Sequence, residues 1–524
     1  MILRFIVTTA LCLVAVRGDG EPPLDPAVVR SLRERLAAGS VREANAALEQ
    51  MKAAPHSRHG LLLFEARVRA QLRIEDAVRR LPELDLERTR AASELEAARK
   101  STSTSTTRRL EERLGSIDRD RGELEARRQI ESRLADVCAD AWWEIAPRLS
   151  PAAADELADA FLVRLREERQ PAARTVLFEM IGAVPSAAVM PLLMEVGSTH
   201  DEPPEIVVTA VAALGRRGDA SATPALVAAL AHPDWRVQSE AVEGLRLLHR
   251  RSAIPLLIER LSHAGGRLRD DLGFALRSLT GERFVADPAI WRAWWEKQGA
   301  SFTMPLQPAD RSAAPREGDE GGAPEGGTNF FGIGSFSKRV LFVLDVSGSM
   351  AEPVRTGTDA STRRTKLDVA RTHLKSALAG LASDARFDVL LYAEFVESCF
   401  PTVQPADDAH RGAALAFVDG RRPSTGTNLH GALLEAFRIA DLEPGAKTSS
   451  GVAGRRPPEV DTIFFLTDGF PTSGRVQAPE LILREIAGLN RTRRIRIHTV
   501  GIGGHDRAFL QALAAQNGGD YQSR

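Results

Sequence analysis

Five consecutive apolar residues, Val340-Leu341-Phe342-Val343-Leu344, run directly into Asp345-Val346-Ser347-Gly348-Ser349-Met350. A short apolar run without polar alternation predicts a strand buried on both faces, as in a parallel sheet covered by helices. Phe387 to Tyr392, Thr462 to Leu466 and Ile495 to Val500 read as similar strands. Between them lie helical stretches at Lys366 to Leu381, Leu429 to Ala440 and Ala478 to Leu489. Alternating strands and helices specify a doubly wound, Rossmann-like α/β sheet. Ligands of such sheets bind beyond the carboxyl ends of the strands, near a topological switch point.

The polar residues of interest fall at those ends. Asp345 closes the first strand, and Ser347 and Ser349 follow in the next loop. Asp468 follows the Thr462 to Leu466 strand within Leu466-Thr467-Asp468-Gly469, and Thr427 precedes a helix within Thr425-Gly426-Thr427-Asn428-Leu429. Two carboxylates and three hydroxyls supply only hard oxygen ligands, which suit Mg²⁺ or Mn²⁺ with some coordination positions left to water. Each piece has a plainer reading. D-x-S-x-S can be a strand-end turn with a helix cap, and T-D-G an ordinary β-turn. His430, three residues after Thr427, reads as a solvated residue of the first helical turn or as a rim residue. Gly445 to Pro458 reads as a solvated insertion whose Arg455 and Arg456 offer positive charge.

Taken together, D-V-S-G-S with the downstream G-T-N and T-D-G resembles the metal-ion-dependent adhesion site of von Willebrand factor A domains. The resemblance spans about Asn329 to Arg524 and includes Lys366-Leu367 opening a helix and Val500-Gly501-Ile502-Gly503 after the last long strand. It implies that Asp345, Ser347, Ser349, Thr427 and Asp468 coordinate the metal, directly or through water. It further implies that an Asp or Glu of a protein partner completes the coordination shell, so that the act is adhesion or assembly and not turnover. Two carboxylates neutralise one dication, which leaves it able to attract an anionic ligand.

The rest of the chain is organised differently. At 524 residues it exceeds one ordinary core of ~150 residues. The formal charge of -1 argues against nucleic-acid binding through bulk electrostatics. Residues 1–18 have the layout of a signal peptide, with one Arg before an apolar stretch from Phe5 to Val16. That stretch is shorter than the ~20 residues a span requires, and no other segment has the unbroken apolar length of one, so the mature chain is expected to lack a membrane span. Export is expected, to the periplasm, the cell surface or the medium. Cleavage would leave Cys138 and Cys399, too far apart in sequence to suggest a disulfide framework and best read as apolar filler.

Residues 26–150 read as successive helices. Ile74 to Lys100 and Arg108 to Leu134 flank Ser101 to Thr107 and suit a helical hairpin or an interrupted coiled coil, with Leu110, Leu114, Ile117 and Leu124 at heptad-like spacing. Arg121 and Arg128 break that seam, and a solvated helical spacer is the plainer reading. Residues 151–299 repeat themselves. Ile181, Leu214, Leu245 and Leu279 recur at roughly 33-residue steps, and Ala210, Ala241 and Ala275 keep step with the last three. Pro191, Pro224 and Pro255 mark second helices. The pattern resembles HEAT-like repeats, an α-solenoid that implies a partner-binding surface. Trp291, Trp294 and Trp295 form one helical face and read as a cap on the last repeat. Residues 300–328 are rich in Pro, Gly and acidic residues and read as a flexible linker.

Three functions compete at this level. An exported binding protein uses the metal for one partner and the repeats as a second surface. A structural scaffold uses the metal, if at all, only to stiffen loops. An accessory subunit of an enzyme is the third, since A-type domains also accompany ATP-driven chelatases. Gly445-Ala446-Lys447-Thr448 lacks the spacing of a phosphate-binding loop, so no ATPase core is expected.

Overall fold

The computed structural model describes residues 24–100, 104–305, 327–354, 364–441 and 458–524. The signal-peptide segment, most of the 300–328 linker, and Arg455 and Arg456 lie outside them. The molecule divides into two units, one reaching Pro191 and the other running from Leu192 to Arg524.

The first unit is helical. Its longest helices, Ser57–Lys100 and Thr104–Ile145, extend well past the stretches expected from sequence. Arg99 pairs with Glu111 and Arg88 with Asp118, and Arg73 meets Glu131 farther out, so the two helices run antiparallel as a hairpin. Of the heptad-spaced residues Ile117 is buried, while Leu110, Leu114 and Leu124 are half-buried. Beyond the hairpin the core closes around Trp142, whose indole N–H donates to the carbonyl of Met180 at 3.1 Å. Cys138 is buried there and carries no disulfide.

The second unit begins with paired helices. Pro204–Arg217, Trp235–Leu248 and Arg267–Thr280 alternate with Thr223–Ala229, Ala253–Leu261 and Pro288–Gln298. Leu214, Leu245 and Leu279 are fully buried, as are Ala210 and Ala241. Small residues at the crossing are required. A Cβ on Gly215 would lie 2.6 Å from the Cα of Gly244, so the two helices touch backbone to backbone. Trp291 and Trp294 are buried, and the Trp291 indole donates to the carbonyl of Val285 at 3.0 Å. Phe302 packs its ring 5.2 Å from Trp294, and the carbonyl of Pro305 meets His249 at 2.8 Å. The first residues expected in the linker therefore lie against the repeats.

The linker expectation also fails at its far end. Thr328 belongs to strand β1 (Thr328–Phe330), is buried, and donates its hydroxyl to the carbonyl of Ala377 at 2.7 Å. β1 pairs with β2 (Ile333–Ser335) as a hairpin that delivers Phe330 and Phe331 to the core. Apolar burial outweighs the polar composition just upstream.

The main sheet contains β3 (Arg339–Asp345), β4 (Arg386–Tyr392), β5 (Val396–Ser398), β6 (Gln404–Pro405), β7 (Thr462–Thr467), β8 (Arg496–Gly501) and β9 (Tyr521–Ser523). Its order is β5-β4-β3-β7-β8-β9, with β6 also on β4. β4, β3, β7, β8 and β9 are parallel. Val340, Phe342 and Leu344 point into one apolar cluster with helix Lys366–Gly380, and Leu341 and Val343 into another with helices Leu429–Ala440 and Pro479–Asn490. Both faces of β3 are thus covered, as its unbroken apolar run predicted. The chain reverses direction across the sheet at β3, whose neighbours are β4 and β7.

The repeats of the second unit meet this sheet at its amino edge, through charged groups. Arg267 donates to the carbonyls of Asp461 (2.7 Å) and Arg494, its guanidinium lying 5.1 Å from the Trp235 ring. Arg496, the first residue of β8, pairs with Asp271, and Arg494 with Glu240. Arg236 pairs with Asp234 at 2.6 Å and Glu205 at 3.1 Å and reaches the carbonyl of Thr492. Asp270 accepts from the Ser335 hydroxyl and the Phe336 amide. Arg236, Arg267, Arg496, Glu240 and Asp271 are all buried. The opposite, carboxyl edge is where Asp345 and Asp468 sit.

Candidate metal centre

Three loops gather at the carboxyl edge. β3 ends in Asp345, and the next turn carries Ser347 and Ser349. The 424–428 segment is tied to it by the Ser424 amide donating to the carbonyl of Val346 at 2.9 Å. The loop after β7 closes the third side, with the Thr472 amide donating to the carbonyl of Thr427 at 3.1 Å. Gly426 and Gly474 adopt left-handed backbone, at φ 76° and 91°. At Gly474 a Cβ would lie 2.1 Å from Oδ1 of Asn428, so only glycine lets these loops close on each other.

Asp345 is fully buried. One carboxylate oxygen accepts the Ser347 amide and the other the Thr467 hydroxyl, each at 2.7 Å. Burial pushes its carboxyl up to about 6, against these hydrogen bonds. The Ser347 and Ser349 hydroxyls are 3.0 Å apart, and Ser349 donates to Oδ1 of Asp468 at 2.8 Å. Ser347 reaches the same oxygen at 3.5 Å. Four of the five residues read from the sequence thus lie in one hydrogen-bonded cluster. Thr427 is buried beside it, its hydroxyl 4.0 Å from where a Cβ on Gly469 would stand.

His430 is placed otherwise than the sequence suggested. It is buried, and its Nε2 meets Oε2 of Glu485 at 2.9 Å, so it belongs to the packing between two helices and not to solvent or the rim. A first-turn position exposes a side chain only when no helix covers that face, and Pro479–Asn490 covers it.

Two groups of the site were missed. Thr467 orients Asp345, and Lys366 reaches Oδ2 of Asp468 at 2.8 Å while also pairing with Glu352 at 2.8 Å. A signal for Lys366 existed. A lysine opening a helix faces the positive end of the helix dipole, so a countercharge had to lie nearby.

The donor set fits a small hard cation. Among the described residues there is no cluster of three or more His, Cys, Asp or Glu side chains suited to a metal. Here two carboxylates are joined instead by hydroxyls, all of them hard oxygens. Among the described residues Asp345 has no lysine or arginine within ion-pair distance, although it is buried, and a cation would supply that missing charge.

Residues 338–523 match the von Willebrand factor type A domain family, and residues 197–277 match HEAT repeats. The chain thus combines a HEAT-repeat α-solenoid with a C-terminal von Willebrand factor A domain of Rossmann-like topology. It is 29% identical over 193 residues to human inter-alpha-trypsin inhibitor heavy chain H4, a match covering 36% of this chain and 18% of that protein. Human von Willebrand factor A domain-containing protein 3A is 30% identical over 138 residues, covering 26% of this chain and 10% of that protein. Among solved structures, a von Willebrand factor type A protein from Catenulispora acidiphila matches at 24% identity and a TM-score of 0.28, covering 36% of this chain and 39% of that chain. The matches to these curated relatives span less than a fifth of their length. Among the described residues no helix is long and apolar enough to cross a membrane.

Proposed function

We propose that this protein is exported and binds a partner protein through a divalent cation, Mg²⁺ or Mn²⁺, held by Asp345, Ser347, Ser349, Thr427 and Asp468. Its helical repeats present a second interaction surface. The observation that carries this reading is the buried Asp345 carboxylate, which has no positive partner within ion-pair distance among the described residues and lies in a cluster with two serines and a second carboxylate. When bound, the cation supplies an electrophilic position for a carboxylate of the partner. The Ser347 amide and Thr467 hydroxyl hold Asp345 in one orientation, and Ser349 does the same for Asp468. The act is binding and not turnover. The export reading rests on the N-terminal apolar stretch, and the adhesive reading is supported by the family of the C-terminal domain.

Thermal unfolding of the full chain, titrated with Mg²⁺ and Mn²⁺, tests the cation. A ligand bound only by the folded state stabilises it by about 2.7 kcal/mol at a hundredfold excess over Kd. Saturable stabilisation in the wild type, lost in Asp345→Ala, is expected. No response up to millimolar metal in either protein would remove the cation from the reading and leave a scaffold. Chelator-reversible capture of a partner, abolished when that partner's Asp or Glu is replaced, tests the rest.

A further inference from the structure

We propose that Lys366 is a built-in countercharge that weakens cation binding at this site and strengthens capture of an anionic ligand by the loaded site; the inference rests on the cation reading above. Its ammonium lies 2.8 Å from Oδ2 of Asp468, the oxygen turned away from Ser349, which engages Oδ1. The lysine side chain is 9% exposed and that of Asp468 fully buried, so water screens this pair little. Its second partner, Glu352, has a side chain 64% exposed, and solvent takes up most of that charge. The loop at Gly503 passes close over the lysine stem: a Cβ there would lie 2.9 Å from Cε of Lys366, and Gly503 holds φ 68°, left-handed backbone that favours glycine.

The charge arithmetic follows from these contacts. Asp345 and Asp468 alone would cancel a dication and leave the loaded site neutral. With Lys366 counted, the buried groups sum to one negative charge, and the loaded site carries one positive charge. A site so charged holds its cation less tightly and attracts a carboxylate more strongly. Lys366 occupies Oδ2 of Asp468 and leaves Oδ1, the oxygen that accepts from Ser349, as the one on the side of the serine hydroxyls. Its role is one of charge and positioning, and it need not touch the ligand.

The test uses the full chain and two probes, Mn²⁺ followed by Mn²⁺ with acetate. Mn²⁺ uptake is read from loss of the free-ion electron paramagnetic resonance signal, and acetate binding from the fall in water-proton relaxation as bound water is displaced. Lys366→Met is expected to bind Mn²⁺ about tenfold more tightly, and its loaded form to bind acetate correspondingly less well. Lys366→Gln, which keeps a hydrogen-bond donor for Asp468 but no charge, is expected to shift both constants the same way, so a packing defect in Lys366→Met does not decide the outcome. Lys366→Arg should stay close to wild type. Unchanged or weaker Mn²⁺ binding in both uncharged variants, or undiminished acetate binding, would overturn the proposal and reduce Lys366 to a packing role. If wild type and Asp345→Asn alike take up no Mn²⁺, the cation reading itself falls, and that result differs visibly from a failure confined to Lys366.

Discussion

Arg267 donates to the main-chain carbonyl of Asp461 at 2.7 Å, joining the last repeats to the residue that leads into β7. The contact sits in a buried network with Asp271, Arg496, Glu240 and Arg494. Burial pulls Arg267 down to about 10, which still leaves it charged at neutral pH. Removing one member of such a network strands buried charge. Arg267→Ala is therefore expected to cost about 3–5 kcal/mol. Denaturant unfolding of the full chain would measure it, and a loss below about 1 kcal/mol would show the network to be solvated.

Gly215 tests the packing of the repeats. Alanine there would place its Cβ 2.6 Å from the Cα of Gly244, and backbone cannot yield as a side chain can. Gly215→Ala is expected to destabilise by about 1–3 kcal/mol despite the better helix propensity of alanine. A rise in melting temperature would mean that the helices do not cross so closely.

Asp388 gives a pH signature away from the candidate metal centre. It is fully buried on β4, and burial pushes its carboxyl up to about 8. One oxygen accepts the Val389 amide at 2.7 Å and the Phe400 amide at 3.2 Å, and the other has no partner. The folded state holds a proton that the unfolded chain releases near its ordinary value. The stabilising contribution is thus complete below about pH 4 and is lost as pH rises through about 8. Asp388→Asn keeps the acceptor and removes this slope. Relative to wild type it should gain on the order of 3 kcal/mol between pH 5 and pH 8.5. Parallel stability–pH curves for the two proteins would contradict the assignment.

Asp345 should trade stability for binding. At pH 8 and without metal, the wild type buries this carboxylate with no positive partner within ion-pair distance among the described residues. Metal-free Asp345→Asn is expected to be more stable by about 1 kcal/mol, while losing the increment that Mg²⁺ or Mn²⁺ confers. Calorimetry with and without chelator would separate the two effects. A metal-free variant less stable than wild type would make Asp345 a structural carboxylate.

Much of the centre was legible because its parts are local. The run from Val340 to Leu344 announces a doubly covered strand, and Asp345, Ser347 and Ser349 follow within five residues of it. Thr427 and Asp468 stand at other element ends, where a doubly wound sheet collects its ligands. His430 was misread because its exposure depends on Glu485, 55 residues away in sequence. Thr328 was misread because composition describes solvent preference over a window, whereas one hairpin can carry two phenylalanines into a core.

The main strands and helices of the α/β domain, their alternation and the repeat step are legible in the sequence, since each depends on periodicity or spacing within a few turns of chain. Only the tertiary structure decided which charges meet. Lys366 and Asp468 are 102 residues apart, and Arg267 and Asp461 are 194 apart. No periodic pattern encodes such pairs. They form because burial brings the groups together and makes an unpaired charge costly, a condition that exists only once the sheet and the repeats have packed.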